Sequence, residues 1–387
     1  MEKYVHRRSD RHLPPVSLIV FAALLCGFAL VNLFWPKREN SELENRKLAQ
    51  MPVFSVKTLL NGKWQDDFST YLQDQVALRD GLIYLDSAVN ALAFGKTEES
   101  GILNGKDGWM FTKLFTVSTD TEKQLGKNIS AVTNFAQRYP GRVTFLLAPS
   151  ASDIYPEMLP ANAPMVDEDA MLDDIFAQVQ ASGADVIDMR DDYRANKDQY
   201  LYFKTDHHWT AEGAKVGFDA LMTAMNEDIP QVSYNIETVK DFHGTLYSKA
   251  PTDFSAADEM HFYTNPDNSV KVNYVEENKQ TDTLFDDSFK SKKDKYSTFM
   301  GGNFALTEIE TNGESDEHVL IIKDSYANTV MPYFADKYKH ITMIDMRYYH
   351  IMDKTVSEYV KDNGITKVIF LYNMDFVNTD NNFIWLE

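Results

Sequence analysis

Val319-Leu320-Ile321-Ile322-Lys323-Asp324-Ser325-Tyr326-Ala327-Asn328 takes an unbroken apolar run into an acidic residue and a serine, with a helix beginning near Asn328. Such a run, bounded by polar residues, predicts a strand buried on both faces, the kind parallel sheets use. Comparable short runs recur at Val143–Ala148, Asp185–Met189, His340–Asp345 and Lys367–Tyr372. Between them lie helical patterns near Lys123–Arg138, Asp167–Ser182 and Thr210–Asn226, the last with Ala214, Phe218, Leu221 and Met225 on one stripe. Strands alternating with helices predict an α/β fold, a three-layer sandwich whose parallel sheet is covered on both faces. Ligands in such sheets bind at the carboxyl ends of the strands, where Ser325 stands.

Working outward, residues from about Ile229 to Asp316 break the alternation. They are rich in Asn, Asp, Lys and Tyr, carry the turn signal Asn265-Pro266-Asp267-Asn268, and include a strand-like run at Val270–Tyr274. This reads as a β-rich insertion with hairpins, not a separate domain. Upstream, Gly105–Gly108 reads as a tight turn leading into Trp109-Met110-Phe111, and Trp64, Phe68, Tyr71, Leu72 and Gln75 recur at helical spacing.

Val16–Trp35 is apolar apart from Ser17 and Asn32. About 20 residues at ~1.5 Å each span a ~30 Å hydrocarbon core. Lys3, Arg7, Arg8 and Arg11 precede the run, which predicts a cytoplasmic N-terminus. A cleaved signal peptide is the alternative, but the run is long, and Trp35-Pro36-Lys37-Arg38 replaces the small-residue cleavage pattern. The expected plan is a cytoplasmic tail (1–12), a membrane anchor (13–36), a linker and lead-in (37–120) and a large extracytoplasmic domain (121–387).

The chain stands at −20 and its first 38 residues at +4, which leaves −24 for the rest. That surface repels nucleic acid. The single cysteine, Cys26, lies in the anchor, so the outer domain has neither disulfides nor a thiol nucleophile.

Chemistry concentrates in two places. Thr205-Asp206-His207-His208-Trp209-Thr210 precedes the third helix, with Thr210 as its N-cap. Asp206 as a turn former and Trp209 as core would account for two of these residues, but not for both histidines. The second place is Ser325, which reads either as a helix N-cap or as a nucleophile near helix N-terminal amides. A serine needs a base, and a histidine needs a carboxylate to fix its tautomer. Ser325, His208 and Asp206 supply all three. Metal chelation by His207 and His208 is disfavoured, since adjacent histidines on a loop diverge and no metal-site spacing is present. No cofactor motif is found.

Order and context resemble the SGNH-like domains of bacterial polysaccharide O-acetylation proteins of the alginate O-acetyltransferase type. Within these, the chain resembles the group named for the Asp-His-His-Trp motif, here Asp206–Trp209. Further pieces are Glu44-Asn45-Arg46, Asp74-Gln75, Arg79-Asp80, Gly105–Phe111, Ala148-Pro149-Ser150, Ile154-Tyr155-Pro156, Thr205–Gly213 and Lys323–Asn328. The resemblance implies a circularly permuted SGNH domain with Ser325 as nucleophile, His208 as general base and Asp206 as its orienter. His207 is left to structure or substrate contact; separately from the resemblance, Trp209 beside the base is a candidate sugar-stacking surface, although most aromatics go to the core. The usual Gly-Asp-Ser is Lys323-Asp324-Ser325 here, and no oxyanion asparagine is clearly matched. Asn373 is the first candidate and Asn303 the second, each also readable as a turn former.

The activity implied by this resemblance is that of an O-acetyltransferase acting on an exopolysaccharide or cell-wall polymer, without cofactor. Acetyl-CoA is cytoplasmic, so the resemblance also implies a multipass membrane acyltransferase as donor partner. Two alternatives stand beside this: a carbohydrate esterase using the same triad, and a non-catalytic glycan-binding scaffold.

Overall fold

The computed structural model describes residues 15–44, 46–252 and 257–387. The expected cytoplasmic tail (1–12) and Asn45 of the Glu44-Asn45-Arg46 motif lie outside the described residues. The chain divides into two compact units, residues 1–86 and 87–387.

In the first unit, Pro15–Phe34 forms one 20-residue helix with exposed apolar side chains, long enough to cross a bilayer. Beyond it, Asp74 is buried and accepts from Arg46 at 2.6 Å and from the Ala49 amide at 2.7 Å. Hydrogen bonding to Arg46 holds its carboxyl down at about 2. Gln75 bridges the carbonyls of Arg38 and Ala49, while Arg79 pairs with Glu44 and Arg38 with Asp80. The polar motifs read from this stretch therefore form one network that ties the linker to the helix Lys63–Asp74.

The second unit runs from Ser87 to Glu387. A three-stranded sheet (98–99, 102–104, 110–112) belongs to it. Its Trp109 ring packs 4.6 Å from Tyr155, and its Met110 amide donates to the Lys204 carbonyl.

The main sheet has eight strands: β1 (Val143–Ala148), β2 (Asp185–Ile187), β3 (Val270–Tyr274), β4 (Lys279–Thr281), β5 (Leu306–Thr311), β6 (Ser315–Lys323), β7 (Tyr338–Asp345) and β8 (Lys367–Asn373). Their spatial order is β4-β3-β5-β7-β6-β8-β1-β2. From β7 to β2 all pairings are parallel, whereas β5, β3 and β4 add antiparallel strands at one edge. The parallel sheet expected from the sequence is present in five strands, and part of the insertion extends it with an antiparallel edge.

Helices α1 (Thr119–Arg138), α2 (Glu168–Gln180), α5 (Val356–Asp362) and α6 (Met374–Thr379) cover one face, and α3 (Ala211–Ala224) and α4 (Ala327–Lys337) the other. Successive side chains of β6 serve opposite cores: Val319 and Ile321 pack under α3 and α4, Leu320 and Ile322 under α1 and α5. The rest of the insertion is a hairpin (235–242 with 258–264) over a small cluster that contains Phe203, Phe242, Phe262 and Tyr296.

Candidate active site

The site lies where the parallel strands end. β6 pairs with β8 up to Lys323–Leu371, and β8 with β1 up to Asn373–Ala148. Ser325 stands two residues past β6, on the turn into α4, and is 6% exposed.

The facing loop is closed by the bridge Tyr202–Trp209, so residues 203–208 protrude as a tight arch. Asp258 fastens its near side by accepting from the Lys204 and Thr205 amides at 2.9 Å and from Thr205 Oγ1 at 2.6 Å. Thr210 then caps α3, its Oγ1 accepting from the Gly213 amide.

This geometry brings three predicted residues together. Ser325 Oγ lies 2.7 Å from His208 Nε2, and His208 Nδ1 lies 2.5 Å from Asp206 Oδ1. Asp206 Oδ1 also accepts from the His208 amide, and Oδ2 from the Thr245 amide at 2.6 Å. Burial opposes a charge on Asp206, but the adjacent His208 and His207 rings and these hydrogen bonds outweigh it, and the carboxyl sits far below its ordinary range. An ionised Asp206 fixes the proton on His208 Nδ1 and leaves Nε2 as acceptor for the serine hydroxyl.

The other predicted residues are placed differently. His207 keeps 28% of its side chain exposed, and its Nδ1 is 2.7 Å from Thr245 Oγ1. Desolvation and the neighbouring His208 push its pKa down, so the ring is neutral. Trp209 is 1% exposed and its indole N–H donates to the Tyr326 carbonyl at 2.9 Å. Of the two readings open for it, core and sugar stacking, the structure takes the first: it is a core residue that braces the arch against the serine turn.

Asn303 Oδ1 accepts from Lys323 Nζ at 2.9 Å and from Asn328 Nδ2 at 3.1 Å, which makes it a partner of the buried lysine. Asn373 lines a cavity of about 50 Å³ together with Asp206, His207 and Tyr326. Its Nδ2 donates to Asp324 Oδ2 at 2.7 Å, which leaves a second N–H on the same nitrogen. Among the described residues no acceptor takes the Ser325 amide.

Several contributors carried no signal in the sequence. Tyr296, from the insertion, stacks on His208 with ring centroids 3.7 Å apart and donates to the Ser325 carbonyl at 2.9 Å. Gly244 lets its loop reach Asp206; a β-carbon there would fall 2.2 Å from Asp206 Cβ. Asp324 is fully buried and accepts from the Asn373 amide, Asn373 Nδ2 and the Tyr326 amide, so one carboxylate holds the ends of β6 and β8 together. Burial pushes Asp324 up to about 6 and Lys323 down to about 8. Glu168 lines the same small cavity, accepts from the Ser150 amide and hydroxyl, and is pushed up to about 7 by desolvation.

Asp206, His207 and His208 also bring potential metal-ligand atoms within 4.8 Å of one another. Both nitrogens of His208 and Nδ1 of His207 are already engaged by Asp206, Ser325 and Thr245. A cation held through His208 would have to break its bond to Asp206 or to Ser325, and so would compete with the relay.

Comparison with known proteins agrees with the resemblance read from the sequence. The family model of the SGNH hydrolase-like domain of acetyltransferase AlgX matches residues 102–292, which contain the Asp206–His208 arch and end before Ser325. A probable alginate O-acetylase AlgJ of Pseudomonas syringae pv. tomato is 25% identical over 247 residues, 61% of either chain. The chain thus spans about three fifths of the length of that curated relative. The structure of a DHHW family protein from Eubacterium siraeum superposes with a TM-score of 0.59 at 23% identity, covering 75% of this chain and 95% of the other. Bacillus cereus PatB1, solved with a sulfonyl adduct, gives 0.59 at 22% identity over 74% and 98%. The fold is that of an SGNH-like α/β domain, preceded by one apolar helix.

Proposed function

We propose that this chain is a membrane-anchored O-acetyltransferase that acetylates a polysaccharide outside the cytoplasm through an acyl-serine intermediate. The observation that carries this reading is the continuous relay Ser325 Oγ–His208 Nε2, His208 Nδ1–Asp206 Oδ1, at 2.7 and 2.5 Å. The acetyltransferase and O-acetylase names of the matched family and relative support the reaction class.

In this reading Ser325 Oγ attacks the carbonyl carbon of an acetyl donor as His208 Nε2 takes its proton. The tetrahedral oxyanion is met by the Ser325 amide and the second N–H of Asn373, and collapse passes the proton to the leaving group. A sugar hydroxyl then gives its proton to His208 and attacks the acetyl carbonyl. When that intermediate collapses, the proton returns to Ser325.

The apolar helix Pro15–Phe34 holds the domain at the membrane, with the N-terminus cytoplasmic. A multipass membrane acyltransferase serves as the donor partner. Water in place of the sugar would make the same triad an esterase, so the product decides.

Full-length protein in detergent, given an activated acetyl ester and oligosaccharides, is expected to yield acetylated sugar and an acetylated Ser325 peptide by mass spectrometry. Ser325→Ala is expected to lower turnover at least about a thousandfold. Undiminished turnover in that variant would end the proposal, and free acetate as sole product would turn it into the esterase.

A further inference from the structure

Away from the triad, on the flank formed by α3 and α4, a second concavity of about 420 Å³ is built around three tyrosines. The Tyr234 ring stands perpendicular to the buried Tyr333 ring at 5.7 Å and nearly so to Tyr263 at 5.7 Å, so Tyr333 backs the groove and the partly exposed Tyr234 and Tyr263 rings meet at its corner. All three hydroxyls are tied down: Tyr234 to Asp336 at 2.7 Å, Tyr263 to Glu212 at 2.9 Å, and Tyr333 to the Ala211 carbonyl at 2.9 Å. The rings are therefore held in place before any ligand arrives, and Tyr234 and Tyr263 are only half-buried.

Around this corner stand side chains with planar polar ends, Asn196 and Gln199 among them, bonded to each other at 2.8 Å. The charges are unequal. Asp192, Glu212 and Asp219 line the groove; Asp219 holds the Lys215 ammonium at 2.6 Å, and Glu212 meets His261 Nδ1 at 2.5 Å. A cavity of this size with ring faces and convergent polar groups suits a small ligand. Ring faces pack against the C–H face of a pyranose, and planar amides and carboxylates receive its vicinal hydroxyls. The acidic balance repels a polyuronate or a phosphate-bearing chain.

The groove is tied to the serine through two elements. Glu212 lies in the first turn of α3, four residues past His208, and Tyr333 lies on α4, which begins just after Ser325. The separation is roughly 10 Å along the α4 axis, from the helical rise per residue.

We infer that this tyrosine-lined groove is a glycan-binding subsite that takes a neutral or amino-sugar oligosaccharide and excludes polyuronates. The inference rests on the reading that the acceptor is a glycan, and it sets the substrate class apart from alginate, for which the curated relative is named.

The test is calorimetric titration of the full-length protein with three probes: an N-acetylglucosamine oligomer, a glucosamine oligomer and an oligouronate. One of the first two is expected to bind, and the oligouronate more weakly than either. Tyr263→Ala should weaken that binding roughly tenfold, about 1.4 kcal/mol. Gln199→Ala, on the exposed rim, supplies a second variant in which folding is not at stake, and thermal melting checks both. Ser325→Ala should bind the glycan like the wild type, so loss of acetyl turnover and loss of glycan binding are read separately. Tightest binding of the oligouronate, no binding of any probe, or unaltered binding by both groove variants would each overturn the inference.

Discussion

His208 spends one ring nitrogen on Asp206 and the other on Ser325, and its ring face on Tyr296. Tyr296→Phe keeps the stacked ring and removes the hydroxyl that donates to the Ser325 carbonyl, a bond worth about 1 kcal/mol. Acetyl turnover is expected to fall only several-fold, measured as kcat on a small activated ester. Gly244 should be far less tolerant. In Gly244→Ala the new methyl group would meet the Asp206 side chain at 2.2–2.3 Å. Asp206 must then move, and turnover is expected to drop about a hundredfold, as misplacement of a catalytic group by an ångström does. Normal turnover in that variant would show that Asp206 does not set the activity. That Ser325, His208 and Asp206 come together was readable from the sequence, because each sits on a motif whose proposed chemistry requires the others. Tyr296 and Gly244 were not, because their role comes from packing across the insertion, which leaves no spacing or composition to read.

Secondary-structure elements explain why the site is held so firmly. α3 begins at Thr210, whose hydroxyl accepts from the Gly213 amide and donates to the Tyr200 carbonyl, so one side chain stops the arch and starts the helix. Thr210→Ala is expected to destabilise the domain by about 1–2 kcal/mol, read as a shift in the urea midpoint at unchanged m. The boundaries of β1, β7, β8 and α3 were close to those expected, since strands buried on both faces appear as continuous apolar runs; β6 begins earlier, at Ser315, where its sequence is polar. The antiparallel edge hid for the opposite reason. In β3 and β5 one face is solvated, so Lys271, Asn273, Glu308 and Glu310 alternate with Val272 and Ile309; β3 was legible as a strand of the insertion, but β5 was not, nor was the pairing that joins both to the main sheet. Trp209 left two readings open, core or sugar platform, and the structure takes the first: its N–H donates to the Tyr326 carbonyl and the ring lies in the core.

Across the whole molecule, burial of carboxyls sets the pH dependence. Glu168 titrates near 7 when folded and at an ordinary 4.5 when unfolded, so the folded state holds the extra proton between those values. Its contribution to stability is therefore complete below pH 4.5 and is lost as pH rises through 7, by roughly 3 kcal/mol. Asp324 titrates in the same direction over a lower window, up to about 6. The difference between wild type and Glu168→Gln isolates Glu168: stability measured by urea unfolding should fall less from pH 5 to pH 8 in the variant. Equal falls would place the proton elsewhere. Strand order also bears on how the molecule is made. β6 bears the serine turn and β1 is the first strand of the main sheet, yet the two never pair, for β8 lies between them. β8 is also the last of the eight strands to be synthesised, and the serine follows its base by 117 positions. A chain threaded through a membrane from its anchored end thus emerges with base and orienter first, nucleophile later and keystone last. Under the proposed function such a chain stays chemically silent until the last strand has followed, and an early stop before Lys367 would leave the two halves of the sheet unjoined.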